Sequence, residues 1–275
     1  MTRQRPLTTV LASLGALVAL VILLFPLYAV IIGSFENNNQ LLGTHYNFLP
    51  PTPSWANYSA VIHTQGGHIV STLIIGVFTA LLTVAIALPA AHALARYRFR
   101  VTVIVIGALL IAQILPAIVI ANSLFLIYHK LGLLNSYPGL ILADASYGVP
   151  FSILVLRAFM LGLPNDVLQA ARVDGASEWK TFVRIVLPMS RSAVITVAVF
   201  AFLNGWGDFI FALTLLSGSS FQPITLSIYS YIGEFSQNIG AAMALCVVGI
   251  LPAAVLLMAA QRYIASGLTV GSVKG

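Results

Sequence analysis

Long apolar runs separated by short polar connections dominate the chain, and they fall at 8–32, 70–94, 101–128, 139–160, 192–216 and 239–262. Each reaches the ~20 residues with which an apolar helix crosses a hydrocarbon core about 30 Å thick. In lipid the backbone has no water to pair with, so a crossing segment is a helix or a strand of a closed barrel. None of these runs shows the in-and-out alternation of barrel strands. The pattern predicts an all-α fold, a polytopic membrane helical bundle of six transmembrane helices. It forms a single domain over 1–275, with polar connections at 33–69, 161–191 and 217–238 and a tail at 263–275. The first run follows Arg3 and Arg5 as a signal peptide would. It is far longer than the roughly 7–15 residues of a signal core, so it reads as a retained span. Pro26, Pro89, Pro116 and Pro252 lie inside the runs and predict kinks.

Composition agrees and narrows the classes. Hydrophobic residues make up 59% of the chain and charged residues 7%, against about 25% charged in soluble domains. The net charge of +6 is spread between the runs and forms no patch, which excludes a nucleic-acid partner. The placement of basic residues also gives a direction. Arg3, Arg5, Arg96, Arg98, Arg100, Arg157, Arg172, Lys180, Arg184, Arg191, Arg262 and Lys274 all fall on one side, and Lys130 alone on the other. Because the cytoplasmic side carries the excess, both termini and the 161–191 connection are predicted to be cytoplasmic. Cys246 is the single cysteine, so no intrachain disulfide exists, and the histidines are not at metal spacing. No phosphate-binding Gly-rich motif occurs, nor any hydrolytic or redox constellation. The chain is therefore no enzyme, and any ATP-driven work needs a separate motor.

The 161–191 connection resolves into two short helices and a turn. Leu163-Pro164 opens the first helix, and Asp166 suits the positive end of its dipole. Asp174-Gly175 breaks it, glycine supplying a conformation other residues resist. A second helix follows, with Trp179, Phe182, Val183, Val186 and Leu187 at helical spacing, and Pro188 is predicted to end it. On these features alone, an amphipathic hairpin lying in the membrane interface is a reasonable reading of a basic, Trp-containing connection.

The segment 169–188, Gln-Ala-Ala-Arg-Val-Asp-Gly-Ala-Ser-Glu-Trp-Lys-Thr-Phe-Val-Arg-Ile-Val-Leu-Pro, closely resembles the EAA loop of bacterial ABC importer permeases. Ala170, Ala171, Asp174, Gly175, Ala176, Phe182, Leu187 and Pro188 match that motif, and Gln169 stands where it usually has Glu. Further stretches resemble the carbohydrate-type, maltose-permease-like members over most of the chain. These are 93–99 (Ala-Leu-Ala-Arg-Tyr-Arg-Phe), 131–135 (Leu-Gly-Leu-Leu-Asn), and the tail with Gln261-Arg262-Tyr263, Gly267-Leu268 and 271–275. One departure is Gly205-Trp206-Gly207-Asp208-Phe209, where that group has Trp-Asn before the acidic residue.

The resemblance implies the type I importer permease fold in a bacterial inner membrane and half of a heterodimeric pore for a sugar or sugar-like solute. It implies four associations: a second homologous permease subunit, an ABC ATPase dimer, an extracytoplasmic solute-binding protein, and the surrounding lipid. It implies no cofactor in this chain, ATP and Mg being held by the ATPase. The 169–188 hairpin would dock on that ATPase, with Arg172, Asp174, Glu178 and Lys180 as polar contacts at its rim.

Polar residues inside apolar runs are costly and face the bundle interior. Gln113, Asn122, Asp144, Asn204 and Asp208 are therefore candidates for lining a solute pathway, with Trp206, Phe209 and Tyr147 able to stack on a sugar. The same residues suit interhelical hydrogen bonding. A self-sufficient secondary carrier would need midplane ion sites and an internal repeat, and neither is evident. A non-transporting membrane scaffold is the third reading.

Overall fold

The computed structural model describes residues 6–43, 48–97, 100–219, 221–231 and 238–269. Arg3, Arg5, Arg98, Phe99, Lys274 and the 271–275 stretch lie outside them. The described residues contain helices and no strand. In chain order these are α1 (Pro6–Gly33), α2 (Asn38–Leu41), α3 (Ala56–Arg96), α4 (Arg100–Ile114), α5 (Ala117–Leu131), α6 (Tyr137–Leu161), α7 (Asn165–Val173) and α8 (Glu178–Thr181). A π-helical turn (Phe182–Val186) leads to α9 (Leu187–Met189), α10 (Arg191–Trp206), α11 (Ile210–Leu215), α12 (Ile224–Ser230) and α13 (Ile239–Thr269).

Four helices are long and apolar enough to cross a membrane: Val10–Gly33, Ala56–Arg96, Tyr137–Leu161 and Ile239–Ile264. Two sharply bent pairs raise the number to six if each is one span. Three elements differ from the sequence expectation. The run expected as one helix over 101–128 is α4 and α5, meeting at 99°. Pro116 has no amide hydrogen and pushes Leu115 out of the helical region, so the chain turns rather than kinks. The helix expected from 70 begins at Ala56, its first turns placing Asn57, Tyr58, Val61 and Gln65 on one inward face at helical spacing. The run 192–216 is broken after Trp206, where the Asp208 carboxylate accepts the amide hydrogens of Phe211 (3.1 Å) and Ala212 (2.8 Å) and caps α11.

The described residues fall into two compact units. The first takes the described residues of Met1–Gly66 and Ser227–Leu251. Here Asn57 Nδ2 donates to the carbonyls of Ser34 (3.0 Å) and Glu36 (2.9 Å), and the rings of Phe35, Trp55 and Tyr58 pack together. These bonds hold the start of α3 against the turn that follows α1.

The second unit, Gly67–Leu226 with the described part of Pro252–Gly275, holds the candidate site. Lipid tails are as apolar as leucine, so helices associate through close approach and interhelical hydrogen bonds rather than through burial alone. Both devices are present. A Cβ on Gly205 of α10 would lie 3.0 Å from Cβ of Thr79 on α3, so the two backbones touch where any larger residue would part them. Asn204 Nδ2 donates to the Asp144 carbonyl (3.2 Å), linking α10 to α6, and the Ile224 amide donates to Thr72 Oγ1 (2.8 Å). At one end of this unit Ala87, Ala91, Ile153, Leu156, Met160, Ala193 and Val197 form a core that also takes Leu168, Phe182 and Val186 of the polar connection.

Candidate coupling hairpin and solute cavity

The polar connection folds as a rooted hairpin. On α7, Leu168 and Ala171 are buried, while Gln169, Ala170, Arg172 and Val173 face out, Val173 at 87% exposure. This division follows helical periodicity, with inward residues three apart. Gly175 has φ +73°, the left-handed conformation that ends a helix. Its amide donates to the Arg172 carbonyl (3.0 Å), and the Ala176 amide reaches the Ala171 carbonyl (2.9 Å). The paired bonds satisfy carbonyls that the end of α7 leaves open. Ser177 then caps α8, its hydroxyl accepting the Lys180 amide (3.3 Å), and Glu178 stands at the positive end of the new helix.

Two kinds of contact tie the hairpin to the spans. Phe182 and Val186 enter the core named above, and the Phe182 ring lies 4.9 Å from that of His92 on α3 and 5.6 Å from that of Trp179. Trp179 itself is 70% exposed. Arg172 Nη2 donates to Glu178 Oε1 at 2.8 Å across the turn, and Arg96 Nε at the end of α3 lies 4.0 Å from Glu178 Oε2. The hydrogen bond from Arg172, followed by the charges of Arg172 and Arg96, holds the Glu178 carboxyl below its ordinary value against the opposing effect of desolvation. Arg157 Nε on α6 donates to the Leu94 carbonyl (3.2 Å) near the end of α3. Pro188 does not end the second helix as the sequence predicts. The π turn before it shifts the hydrogen-bond register, the Leu187 amide reaching the Phe182 carbonyl, and the chain stays helical to Met189 despite the missing proline donor.

The hairpin thus gathers every residue of the 169–188 motif but divides them. Ala171 and Phe182 face the protein and root the hairpin, whereas Gln169, Ala170, Arg172, Asp174, Gly175 and Pro188 face out. Ala176 and Leu187 are half-buried.

The polar residues within the spans do not converge on one place. Gln113 of α4 and Asn204 of α10 line a cavity of about 230 Å³ with Tyr147, Gly148, Phe151, Ser152, Phe200 and Ala201. Asn122 lies exposed on α5, outside it. Trp206 is buried and stacks on Phe202 (centroids 5.5 Å apart). Asp208 caps α11, and Phe209 sits half-buried at the break beside it. Asp144 is fully buried, and neither carboxylate oxygen has a hydrogen-bond partner among the described residues. Phe151 and Phe200 were not legible as cavity residues, since in an apolar run they look like lipid-facing positions.

Four to six apolar helices long enough to cross a membrane, with a polar hairpin rooted in their core, define a multi-pass membrane protein. Residues 83–270 match the family described as binding-protein-dependent transport system inner membrane component, and the chain belongs to that family. It is a transport subunit, not an enzyme. Its relatives include the sulfoquinovosyl glycerol transport system permease protein SmoH of Agrobacterium fabrum, 30% identical over 96% of this chain and 94% of that protein. The arabinooligosaccharides transport system permease protein AraQ of Bacillus subtilis is 31% identical over 92% of this chain and 91% of its own length. The trehalose/maltose transport system permease protein MalG of Thermococcus litoralis is 30% identical over 99% of both chains. Among solved structures, a chain of a bacterial ABC transporter involved in import of the acidic polysaccharide alginate superimposes with a TM-score of 0.79. The match has 19% identity and covers 96% of this chain and 98% of that one, which shows a shared fold.

Proposed function

We propose that the chain is the permease subunit of an ATP-binding-cassette importer and forms half of the pathway for a sugar or sugar-like solute. A second homologous permease supplies the other half. An extracytoplasmic binding protein delivers the solute, and a cytosolic ATPase dimer, holding ATP and Mg, drives the cycle. Both termini are cytoplasmic, which the placement of Arg96, Arg157, Arg172, Lys180, Arg184 and Arg191 in connections on one side of the expected spans supports.

The observation that carries the reading is the division of the hairpin into two faces. Leu168, Phe182 and Val186 lie in the core shared by α3, α6 and α10, while Gln169, Ala170, Val173 and Trp179 are presented outward. Exposed apolar side chains on a cytoplasmic turn are unfavourable alone and suit a docking partner. Force applied to the outward face reaches three spans through the buried one. An amphipathic hairpin resting in lipid would not need its root inside the helical core.

The test reconstitutes the chain in proteoliposomes with its second permease, ATPase and binding protein, and follows uptake of radiolabelled neutral oligosaccharides. ATP-dependent uptake that requires the binding protein is expected. Uptake by the purified chain alone, without ATP, would overturn the reading in favour of a self-sufficient carrier.

A further inference from the structure

Resting on that reading, we propose that the cavity lined by Gln113, Tyr147, Phe151, Phe200 and Asn204 is where this chain touches the solute, and that it accepts an uncharged, hydroxyl-bearing ring. Its lining has no carboxylate, ammonium, guanidinium or imidazole. An anionic solute entering it would lose hydration without gaining a counter-charge, a cost of several kcal/mol for an ion in an apolar site. A polyol gives up only hydroxyl hydration, which amides and hydroxyls replace.

The donors and acceptors are present and open. Neither the Gln113 amide nor the Tyr147 hydroxyl bonds to another described residue. Asn204 spends one amide hydrogen on the Asp144 carbonyl, which fixes its side chain and leaves its amide oxygen as an acceptor. Had these groups served only to hold helices together, they would be paired with one another or with backbone, as Asn204 is on its inner side.

The aromatic geometry supplies the other half of sugar recognition. Phe151 on α6 and Phe200 on α10 meet edge to face, centroids 5.7 Å apart and planes at 68°. Each remains about 40% exposed, although both border a cavity rather than solvent-facing loops. Such a pair holds one ring rigid and leaves a face for the C–H side of a pyranose. The walls belong to α4, α6 and α10, and α10 follows the coupling hairpin directly, so movement of the hairpin alters the width of this site.

The experiment uses the assembled importer in detergent, without binding protein, so that delivery does not set the specificity. Saturation-transfer NMR is recorded with methyl α-glucoside and, separately, with glucuronate. Saturation of the glucoside ring protons is expected, with little or none for glucuronate. Phe200→Leu, which keeps apolar volume and removes the ring face, is expected to cut the glucoside signal about threefold or more. Gln113→Ala is expected to cut it similarly, and Phe200→Tyr to preserve it. Glucuronate saturating as strongly as the glucoside, or undiminished signal in both Phe200→Leu and Gln113→Ala, overturns the assignment. If the importer carries neutral oligosaccharides while those variants leave saturation and uptake unchanged, the cavity is wrong and the carbohydrate reading stands. Silence from both probes together with no carbohydrate uptake overturns both.

Discussion

Replacing Gly175 tests whether the hairpin's turn or merely its sequence matters. At φ +73° a residue with a Cβ is strained, and nothing lies within 4 Å of where that Cβ would stand. The penalty is therefore backbone strain free of any clash, about 1–2 kcal/mol for alanine. Asparagine visits this conformation more readily and should lose little, whereas valine, branched at Cβ, should lose most. A loss of about 1–2 kcal/mol corresponds to an opening equilibrium raised roughly 5- to 30-fold. Hydrogen exchange at the Ala176 amide, which closes the turn onto the Ala171 carbonyl, reads that opening directly. Faster exchange in the order Asn, Ala, Val is expected, and ATPase stimulation by solute-loaded binding protein should fall in the same order. Unchanged exchange in Gly175→Val, or an asparagine variant as impaired as valine, would refute the argument from conformation.

Three further outcomes follow from the same geometry. Gly205→Val places a side chain against Thr79 and should destabilise the detergent-solubilised chain by the ~1–3 kcal/mol of an overpacked interface, read as a lower melting temperature, whereas Gly66→Ala, with open space around it, should not. Asp208→Ala removes the acceptor for the Phe211 and Ala212 amides and should cost about 1 kcal/mol of thermal stability, with Asp208→Asn closer to the parent. The Glu178 carboxyl is held below its ordinary value of 4.5, so its pairing stabilises the hairpin above that pH and is lost as pH falls through the lower folded value. Arg172→Ala should remove ~0.2–1 kcal/mol of hairpin protection at neutral pH and flatten the acid dependence of exchange at Glu178–Thr181.

The spans were legible because an apolar run of sufficient length has few other uses, and the hairpin because Gly175 and Pro164 mark turn and helix start by local stereochemistry. What the sequence concealed depends on neighbours. Pro116 in an apolar run reads as a kink, because the sequence shows that the proline breaks the helix but not that the break opens to a 99° turn between α4 and α5. That Asp208 caps a helix is hidden because sequence does not reveal that two amide hydrogens three and four residues on will claim it. Ala171 and Phe182 carry the motif as strongly as Ala170, yet their roles diverge, since a motif records spacing and not which side of a helix meets the core. Phe151 and Phe200 carry no sequence signal at all, because lipid and cavity walls ask for the same apolar residues.

The π turn at Phe182–Val186 and the 77° bend after Met189 change what the hairpin delivers. A straight continuous helix would act as a piston, passing an axial push from its cytoplasmic end to the far side of the membrane. With the joint nearly square, a thrust along α8 and α9 has almost no component along α10 and acts instead as a torque, swinging that helix about its tight contact with Thr79. If the hairpin couples as proposed, tilt rather than an axial push governs solute access, and a substitution that straightened the joint is expected to lower uptake while leaving Gln169, Ala170 and Trp179 in place.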